Sequence, residues 1–540
     1  MTNTELVILR RREAPSRRTQ TISPLRIAAI AAATLAVLPL LAVVWLALTR
    51  PASAAIPPEL IARYASTTAI LALLVAIGAT ALGAISAWLV VMHRFPGRDL
   101  FAWALALPLA APAFALAYAY ADLFDVAGPI RSFSRAALGF DALPFEIRSL
   151  PGAALILSCA FYPYVYLTAR AAFVSQSVCA LEAARTLGAS PLEAFRRVAL
   201  PLARPALAAG AALAVMETLA DYGAVSFLGV QTLTTGVVRA WSVYGAPGSA
   251  ARLALILLFA AAVLLWFERL NRRGEGYGAQ SARWRTLTEV PLVGPSRWFA
   301  TAFCTLLLTV ALLLPAGWLA WKAANYTPEF DRILRAGAVS LGLGVAGAVV
   351  TVTLAAVIAF GARGQKLAQR IASLGYATPG AVMAVGLLAP AALLWRGGVG
   401  TGVALGLALL VFAYAARLMA AALEPIDAGL QRVTPSMDRA ARTLGEDETG
   451  AVRRVHVPLA RGALWTAALL VFVDVMKELP ATLILRPFNF DTLAVLADRY
   501  AADERLSEAA WPALLIVLAA APAVVFLSRK VARSRPGAEP

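Results

Sequence analysis

The chain has 540 residues, of which 60% are hydrophobic and 15% are charged. Soluble domains average about 45–50% apolar and about 25% charged residues. An apolar excess over this length indicates lipid as the solvent, and it excludes a disulfide-stapled scaffold, a disordered tail and an ordinary cytosolic enzyme. The formal net charge of +17 is compatible with nucleic-acid binding, but the distribution of the charges favours contact with a membrane surface.

Twelve apolar runs, most of them roughly 17–25 residues long, are candidates to cross a bilayer. They lie at about 27–49, 65–91, 100–121, 152–169, 206–229, 252–268, 298–321, 337–360, 373–395, 401–423, 463–485 and 511–528. The first run is longer than the apolar core of a secretory signal peptide, about 7–15 residues, and so predicts an uncleaved anchor. The sequence therefore predicts an all-α membrane protein with about twelve transmembrane helices.

Lysine and arginine predict the orientation of these helices. With the N-terminus in the cytoplasm, the cytoplasmic connections hold 33 of the 48 basic residues and the outer connections hold 14. The segment 417–462 alone contributes seven to the cytoplasmic side. Cytoplasmic loops of membrane proteins carry such an excess, which predicts that both termini are cytoplasmic and that the chain binds no nucleic acid.

An internal repeat relates residues 182–207 to residues 439–464. At an offset of 257 residues, 16 of the 26 positions are identical, whereas composition alone gives roughly two matches. Six predicted spans lie in each half, so the halves enter the membrane in the same direction and form parallel repeats. The predicted organisation is a first half at 1–268, a cytoplasmic linker at 269–297 and a second half at 298–540.

Both copies of the repeat lie in predicted cytoplasmic connections and share small residues and prolines. They carry Glu182, Ala183, Ala184, Gly188 and Pro201 in the first copy, and Ala440, Ala441, Gly445 and Pro458 in the second. This pattern resembles the EAA loop of bacterial ABC importer permeases, with Arg439 in place of the motif's glutamate and Val457 in place of its leucine. The resemblance implies a type I importer fold in which these residues contact two ATPase subunits. A duplicated loop on one side also suits two copies of one partner. Each copy is expected to form two short helical pieces that break at the glycine and end near the proline.

Three further segments resemble the fused permeases that import iron(III). They are Met216–Gly223, Thr235–Gly236 and Lys477–Thr482. The resemblance implies a multi-pass permease of the bacterial inner membrane that receives its substrate from a periplasmic binding protein. Thiamine or another small solute is the alternative substrate.

The chain shows no motif for binding ATP. Of its four lysines, none follows a glycine, whereas a P-loop needs Gly-Lys-Ser/Thr to hold phosphates. We therefore expect no enzyme activity and no cofactor in this chain, with ATP and magnesium held by a separate ATPase. An ion-coupled secondary transporter is the alternative class, because it too uses repeats and buried carboxylates, although it needs no duplicated docking loop.

Four intramembrane carboxylates repeat at the same offset of 257 residues. They are Glu217 and Asp221 in the first half, and Asp474 and Glu478 in the second. Each pair has the i, i+4 spacing of one helix face. With helix starts near 206 and 463, the first acid of each pair is predicted about 16 Å into its helix, near the bilayer midplane. Such residues usually face a protein interior or a water-filled path, so we expect them to line the translocation path.

A structural role is the alternative for these carboxylates: Lys477 pairs with an acid, and the other acids form hydrogen bonds between helices. No resident metal site is predicted, because three scattered cysteines and two histidines give no ligand spacing. Five tyrosines are expected to anchor the chain at the membrane interface. They are Tyr118, Tyr120, Tyr162, Tyr164 and Tyr166.

Overall fold

The computed structural model describes residues 24–533, with gaps at 52–55, 140–145, 176–185, 187, 189, 273–289, 362, 364–368, 370–371, 373–374, 376–377, 397–401 and 432. Within these ranges ten helices are long and apolar enough to cross a bilayer, or eleven if a pair bent by 90° at residues 111–112 is one span. The prediction of an all-α membrane protein is confirmed. The predicted span at 373–395 lies partly outside the described residues, and a continuous helix is seen there only from Gly380.

Eleven α-helices are described in the first half. They are α1 (Pro24–Thr49), α2 (Pro58–Met92), α3 (Arg98–Ala104), α4 (Ala113–Leu123), α5 (Pro129–Leu138), α6 (Leu150–Ser175), α7 (Pro191–Ala194), α8 (Leu200–Ala220), α9 (Gly223–Phe227), α10 (Leu233–Ser242) and α11 (Pro247–Arg272). A 3₁₀ turn at Leu107–Ala110 separates α3 from α4, and a π-helical segment at Phe195–Ala199 joins α7 to α8.

The described second half contains a further eleven. They are α12 (Pro295–Leu308), α13 (Leu314–Ala324), α14 (Phe330–Gly361), α15 (Gly380–Arg396), α16 (Val403–Leu430), α17 (Pro435–Thr443), α18 (Glu448–Ala451), α19 (Val457–Met476), α20 (Pro480–Leu485), α21 (Leu493–Ala502) and α22 (Leu506–Arg533). Two π-helical segments, Thr309–Leu313 and Val452–His456, join α12 to α13 and α18 to α19. Two short strands, β1 (His93–Arg94) and β2 (Val290–Pro291), pair in parallel.

Proline begins several of these helices. Pro58, Pro295, Pro435 and Pro480 each occupy the first position of a helix. The first backbone N–H of a helix has no partner within the helix, so a residue without that N–H starts a helix at no cost. The apolar residues that follow then form helices that are hydrophobic on most faces, as lipid requires.

Each half is built around three long helices that pack together. In the first half these are α2, α6 and α8, and in the second they are α14, α16 and α19. The packing is close because glycine lies at the contacts: a Cβ added at Gly83 on α2 would lie 2.6 Å from Cβ of Val165 on α6. Small residues at helix contacts are typical of membrane proteins, where dispersion contacts replace the hydrophobic effect between helices.

The first span of each half packs on the opposite half; in the first half this span is α1, and in the second half it is α12 and α13 joined by their π-helical segment. Helix α1 lies against α14 and α15 of the second half, and α13 lies against α4 of the first half as well as against α22. On α13, Trp318 Nε1 donates to Asp122 Oδ2 of α4 at 2.7 Å, and Lys322 Nζ lies 2.9 Å from the same oxygen. The two halves are therefore interlocked.

The prediction that the five tyrosines anchor the membrane interface is wrong for Tyr118, Tyr120, Tyr162 and Tyr166, which are buried. Tyr162 donates its hydroxyl to the carbonyl of Leu105 at 2.8 Å, and Tyr166 donates to the carbonyl of Ala102 at 2.9 Å. The bend between α3 and α4 interrupts regular helical bonding, and the phenols supply donors to carbonyls near it.

Candidate translocation site and coupling loops

A cavity of about 80 Å³ lies between the two halves. Its walls come from the C-terminal ends of α8 and α19, the start of α4, and the middle of α6 and α16. All four carboxylates singled out in the sequence line it: Glu217, Asp221, Asp474 and Glu478. The fold thus brings together residues that are 257 positions apart in the chain.

The prediction that each carboxylate pair lies on one face of a continuous helix is wrong. Helix α8 ends at Ala220, and Asp221 has extended backbone angles. Helix α19 ends at Met476, so Glu478 also lies beyond a helix end. The helical spacing of these residues in the sequence therefore does not describe their arrangement in space.

At each break, the second acid of the pair accepts a hydrogen bond from the first turn of the short helix that follows. Asp221 Oδ1 accepts the backbone N–H of Val225 in α9 at 3.0 Å. Glu478 Oε1 accepts the backbone N–H of Ala481 in α20 at 3.0 Å. Short polar side chains that bond to nearby backbone groups compete with helix continuation, and the two halves use this device at equivalent positions.

Two cations accompany the carboxylates. Arg417 Nη1 lies 3.2 Å from Glu478 Oε2, and Lys477 Nζ lies 2.9 Å from Asp474 Oδ1. The alternative in which Lys477 pairs with an acid is therefore present in the structure. Both cations belong to the second half, so the cavity is asymmetric although its four acids follow the repeat.

Arg417 is the site residue that the sequence analysis missed. The count of basic residues places it in the cytoplasmic segment 417–462, although the predicted span 401–423 also contains it; in the structure it lies within α16 and lines the cavity. The available signal was its position in a long alanine-rich helix that stays apolar on both sides of it. A charge inside such a stretch indicates a protein interior or an aqueous path.

The two copies of the repeat, residues 182–207 and 439–464, are called the coupling loops for their predicted role, and they share one backbone turn. Gly188 and Gly445 each adopt a φ of +84°, a left-handed conformation that glycine adopts without strain. In the second copy Ala440 and Ala441 lie on α17, and Ala441 is buried. Glu182, Ala183 and Ala184 of the first copy lie outside the described residues.

A side-chain cap follows the glycine in each loop. In the first loop the backbone N–H of Ser190 donates to Glu193 Oε2 at 3.0 Å, and this hydrogen bond lowers the pKa of Glu193. In the second loop Asp447 Oδ2 accepts the hydroxyl of Thr449 and Oδ1 accepts the backbone N–H of Gly450, both at 2.7 Å. These bonds lower the pKa of Asp447. Each cap starts the helix that leads from the loop into the membrane.

The prediction that the helical pieces end near Pro201 and Pro458 is wrong. Both prolines lie in the first turn of long helices, α8 and α19, which continue from the loops through π-helical segments. The π segment shifts the hydrogen-bond register by one residue directly before the proline, which has no backbone N–H to donate. The predicted helix starts near 206 and 463, and the depth of about 16 Å counted from them, are therefore wrong as well.

Comparison with known proteins identifies the family. Residues 79–276 and 347–536 each match the family described as "Binding-protein-dependent transport system inner membrane component". The chain belongs to this family. The two matches confirm the fused halves and the resemblance to ABC importer permeases, so the chain is a multi-pass permease with two homologous halves.

Relatives differ in the substrate that their names give. The chain is 25% identical over 497 residues, 90% of its length and 93% of the relative, to the Fe(3+)-transport system permease protein FbpB 2 of Haemophilus influenzae. It is 33% identical over 174 residues, 32% of its length and 60% of the relative, to the sulfate transport system permease protein CysT of Salmonella typhimurium. It is 30% identical over 205 residues, 36% of its length and 87% of the relative, to the molybdenum transport system permease protein ModB of Escherichia coli.

Proposed function

We propose that this permease carries iron(III) across the bacterial inner membrane into the cytoplasm. Both chain termini lie on the cytoplasmic side. Two ATPase subunits bind the loops at 182–207 and 439–464, and they alone hold ATP and magnesium. A periplasmic binding protein delivers the substrate to the outer side. The relative that matches along most of both chains is named for Fe(3+) transport, which supports this substrate.

The observation that carries the choice of substrate is the charge of the cavity. Four carboxylates face two cations there, so the site has an acidic excess in a region of low dielectric, where charge interactions are strong. This excess opposes an oxyanion such as sulfate or molybdate and attracts a cation. Carboxylate oxygens are also the ligands that hard cations prefer.

The size of the cavity supports a small ion over thiamine. Pockets that hold drug-sized organic molecules measure about 300–1,000 Å³, whereas this cavity measures about 80 Å³. Ion pairs and helix caps already use some of the carboxylate oxygens of the four acids, so the contacts that remain for a passing cation are weak. Weak contact suits transport, because an ion that binds tightly is not released.

The proposed transport cycle is alternating access. Closure of the ATPase dimer moves both loops together, and because each loop continues into a long helix that ends at the cavity, the movement reaches the carboxylates directly. Asp221 and Glu478 lie at the junction between these long helices and the short helices α9 and α20. They are therefore placed where a helix movement changes the shape of the cavity.

The proposal is tested in proteoliposomes that contain the chain, its ATPase and its binding protein. We expect ATP-dependent uptake of radioactive iron(III) that excess sulfate, molybdate or thiamine does not reduce. Uptake of one of these solutes in place of iron would overturn the choice of substrate. Uptake driven by an ion gradient, without the ATPase, would show instead a secondary transporter.

Two charge-removing variants test the role of the cavity. Glu217→Gln and Asp221→Asn keep the side-chain shape and remove a negative charge, and in Asp221→Asn the amide oxygen still accepts from Val225. We expect iron uptake to fall by an order of magnitude in the double variant, while the ATPase still co-purifies. The control is Asp99→Asn, at an exposed carboxylate on α3 outside the cavity. Normal iron uptake in the double variant would remove these acids from the path.

A further inference from the structure

A compact polar cluster connects the second coupling loop to the helix that it drives. His456 Nε2 lies 2.7 Å from Asp438 Oδ1, and Arg363 Nη1 lies 2.9 Å from Asp438 Oδ2. Arg363 also donates through Nη2 to the carbonyl of Val433. The three side chains come from three places in the chain: the segment after α14, helix α17, and the π-helical segment before α19.

The cluster is well placed to hold its elements rigidly. The side chain of His456 is only 8% exposed, and those of Asp438 and Arg363 are 28% and 30% exposed. A carboxylate only accepts hydrogen bonds, so both oxygens of Asp438 are used, one toward the imidazole and one toward the guanidinium. Charge-assisted hydrogen bonds of this kind are stronger than neutral ones, and burial strengthens them further.

The sequence of the first half does not repeat the acid and the imidazole of this cluster. At the offset of 257 residues, Asp438 corresponds to Leu181 and His456 corresponds to Ala199. Neither residue has a polar side chain. Arg439, the next residue after Asp438, stands where the first loop has Glu182. The acid of the second loop is thus displaced by one position in the sequence, and it bonds inward.

We propose that Asp438, His456 and Arg363 are positioning residues that clamp helix α17 of the second loop onto helix α19. The clamp transmits ATPase movement through the second loop as a rigid body, whereas the first loop has Leu181 and Ala199 at the positions of the acid and the imidazole. The two loops therefore contribute unequally to the coupling of ATP hydrolysis to uptake. This inference rests on the proposed docking of ATPase subunits at both loops.

The clamp itself is tested by spin labels in the full chain, without the ATPase. With the native cysteines replaced by alanine, labels at Arg439→Cys and Thr466→Cys report the distance from α17 to α19. Matched labels at Glu182→Cys and Ala209→Cys, 257 residues earlier, report the first loop. We expect Asp438→Asn and His456→Ala to broaden the second distance distribution and to leave the first unchanged. An unchanged second distribution in both variants would overturn the clamp.

The consequence for coupling is tested in the reconstituted complex with the same two variants. We expect ATP hydrolysis to continue while substrate uptake per ATP falls about five-fold, with partial rescue by Asp438→Glu. The control is Asp99→Asn, at an exposed carboxylate on α3 outside both loops and the cavity, which should leave the ratio unchanged. An unchanged ratio in Asp438→Asn and His456→Ala would overturn the coupling role. Failure of the ATPase to bind the wild-type chain would instead refute the proposed function, and the spin-label result would stand independently.

Discussion

At the scale of single residues, two cations that the chain itself supplies offset part of the negative charge of the cavity. Glu478 is 3% exposed and Arg417 is its counter-ion. An isolated charge is costly at such a site, and removing one partner of a buried pair costs more than removing both. Arg417 and Lys477 therefore stabilise the folded cavity, and they also set how much negative charge remains for a substrate.

The ion pair of Arg417 and Glu478 gives a stability prediction. Arg417→Met leaves Glu478 buried without its counter-ion, so we expect a loss of about 3–5 kcal/mol in the free energy of unfolding. The double variant Arg417→Met with Glu478→Gln should lose clearly less. Denaturant unfolding of the purified chain in detergent measures both. If the double variant is the less stable of the two, the pair does not act through its charges.

At the scale of elements, the two coupling loops share a left-handed glycine, a side-chain cap and a π-helical segment. A Cβ added at Gly188 or Gly445 meets no described atom within 4 Å. The glycine is therefore required by the backbone conformation and not by crowding. That conformation costs a residue with a Cβ roughly 1–2 kcal/mol, and it costs asparagine less than other side chains.

A substitution series at Gly445 follows from this distinction. We expect ATPase binding and uptake to decrease in the order glycine, asparagine, alanine, valine, because the backbone strain at a left-handed φ increases in that order. The same series at Gly188 is the matched comparison. Co-purification of the ATPase and transport in proteoliposomes are the two measurements. Equal activity of the asparagine and valine variants would contradict a backbone requirement.

The cap of the second loop predicts a dependence on pH. The pKa of Asp447 is lowered in the folded loop by hydrogen bonds from Thr449 and Gly450. Its stabilising effect is thus present above the ordinary pKa of aspartate and is lost as the pH falls through the lowered value. Hydrogen-exchange protection at residues 448–451, corrected for the intrinsic exchange rate, should fall on acidification. Asp447→Asn should abolish this dependence, and a pH dependence that persists in this variant would assign it to another group.

At the scale of the whole molecule, the halves are interlocked by their first spans. The side of α1 that packs on the rest of the protein is lined by small and branched apolar residues, including Ala29, Ala33, Ala36 and Val43. Each half therefore depends on the other to cover part of its surface. Fusion in one chain keeps the two halves at equal amounts and close together during assembly.

Splitting the chain tests this interlocking. Residues 1–280 and 281–540, co-expressed as separate chains, should co-purify, because α1 packs on α14 and α15 and α13 packs on α4. Removal of residues 1–51 from the first fragment should reduce the yield of the pair several-fold. Recovery of an equally stable pair without α1 would show that this helix does not hold the halves together.

Composition and periodicity by themselves determined that the chain is helical and spans a membrane, because lipid demands long apolar segments whatever their neighbours are. The offset of 257 residues likewise revealed the duplicated loops and the four carboxylates, since a repeat is a property of the sequence alone. In each loop the glycine predicted the break between helical pieces, but the starts of α8 and α19 were not predicted, because a π segment before a proline leaves no simple sequence pattern.

Only the tertiary structure decided which residues meet. Arg417 joins the carboxylates because α16 packs beside α19, the helices α8 and α19 end where an acid caps the next helix, and α1 covers the opposite half. Each of these outcomes depends on contacts between residues far apart in the chain. The energies of such contacts cannot be read from a short stretch of sequence. The charge balance of the cavity is therefore a property of the folded molecule.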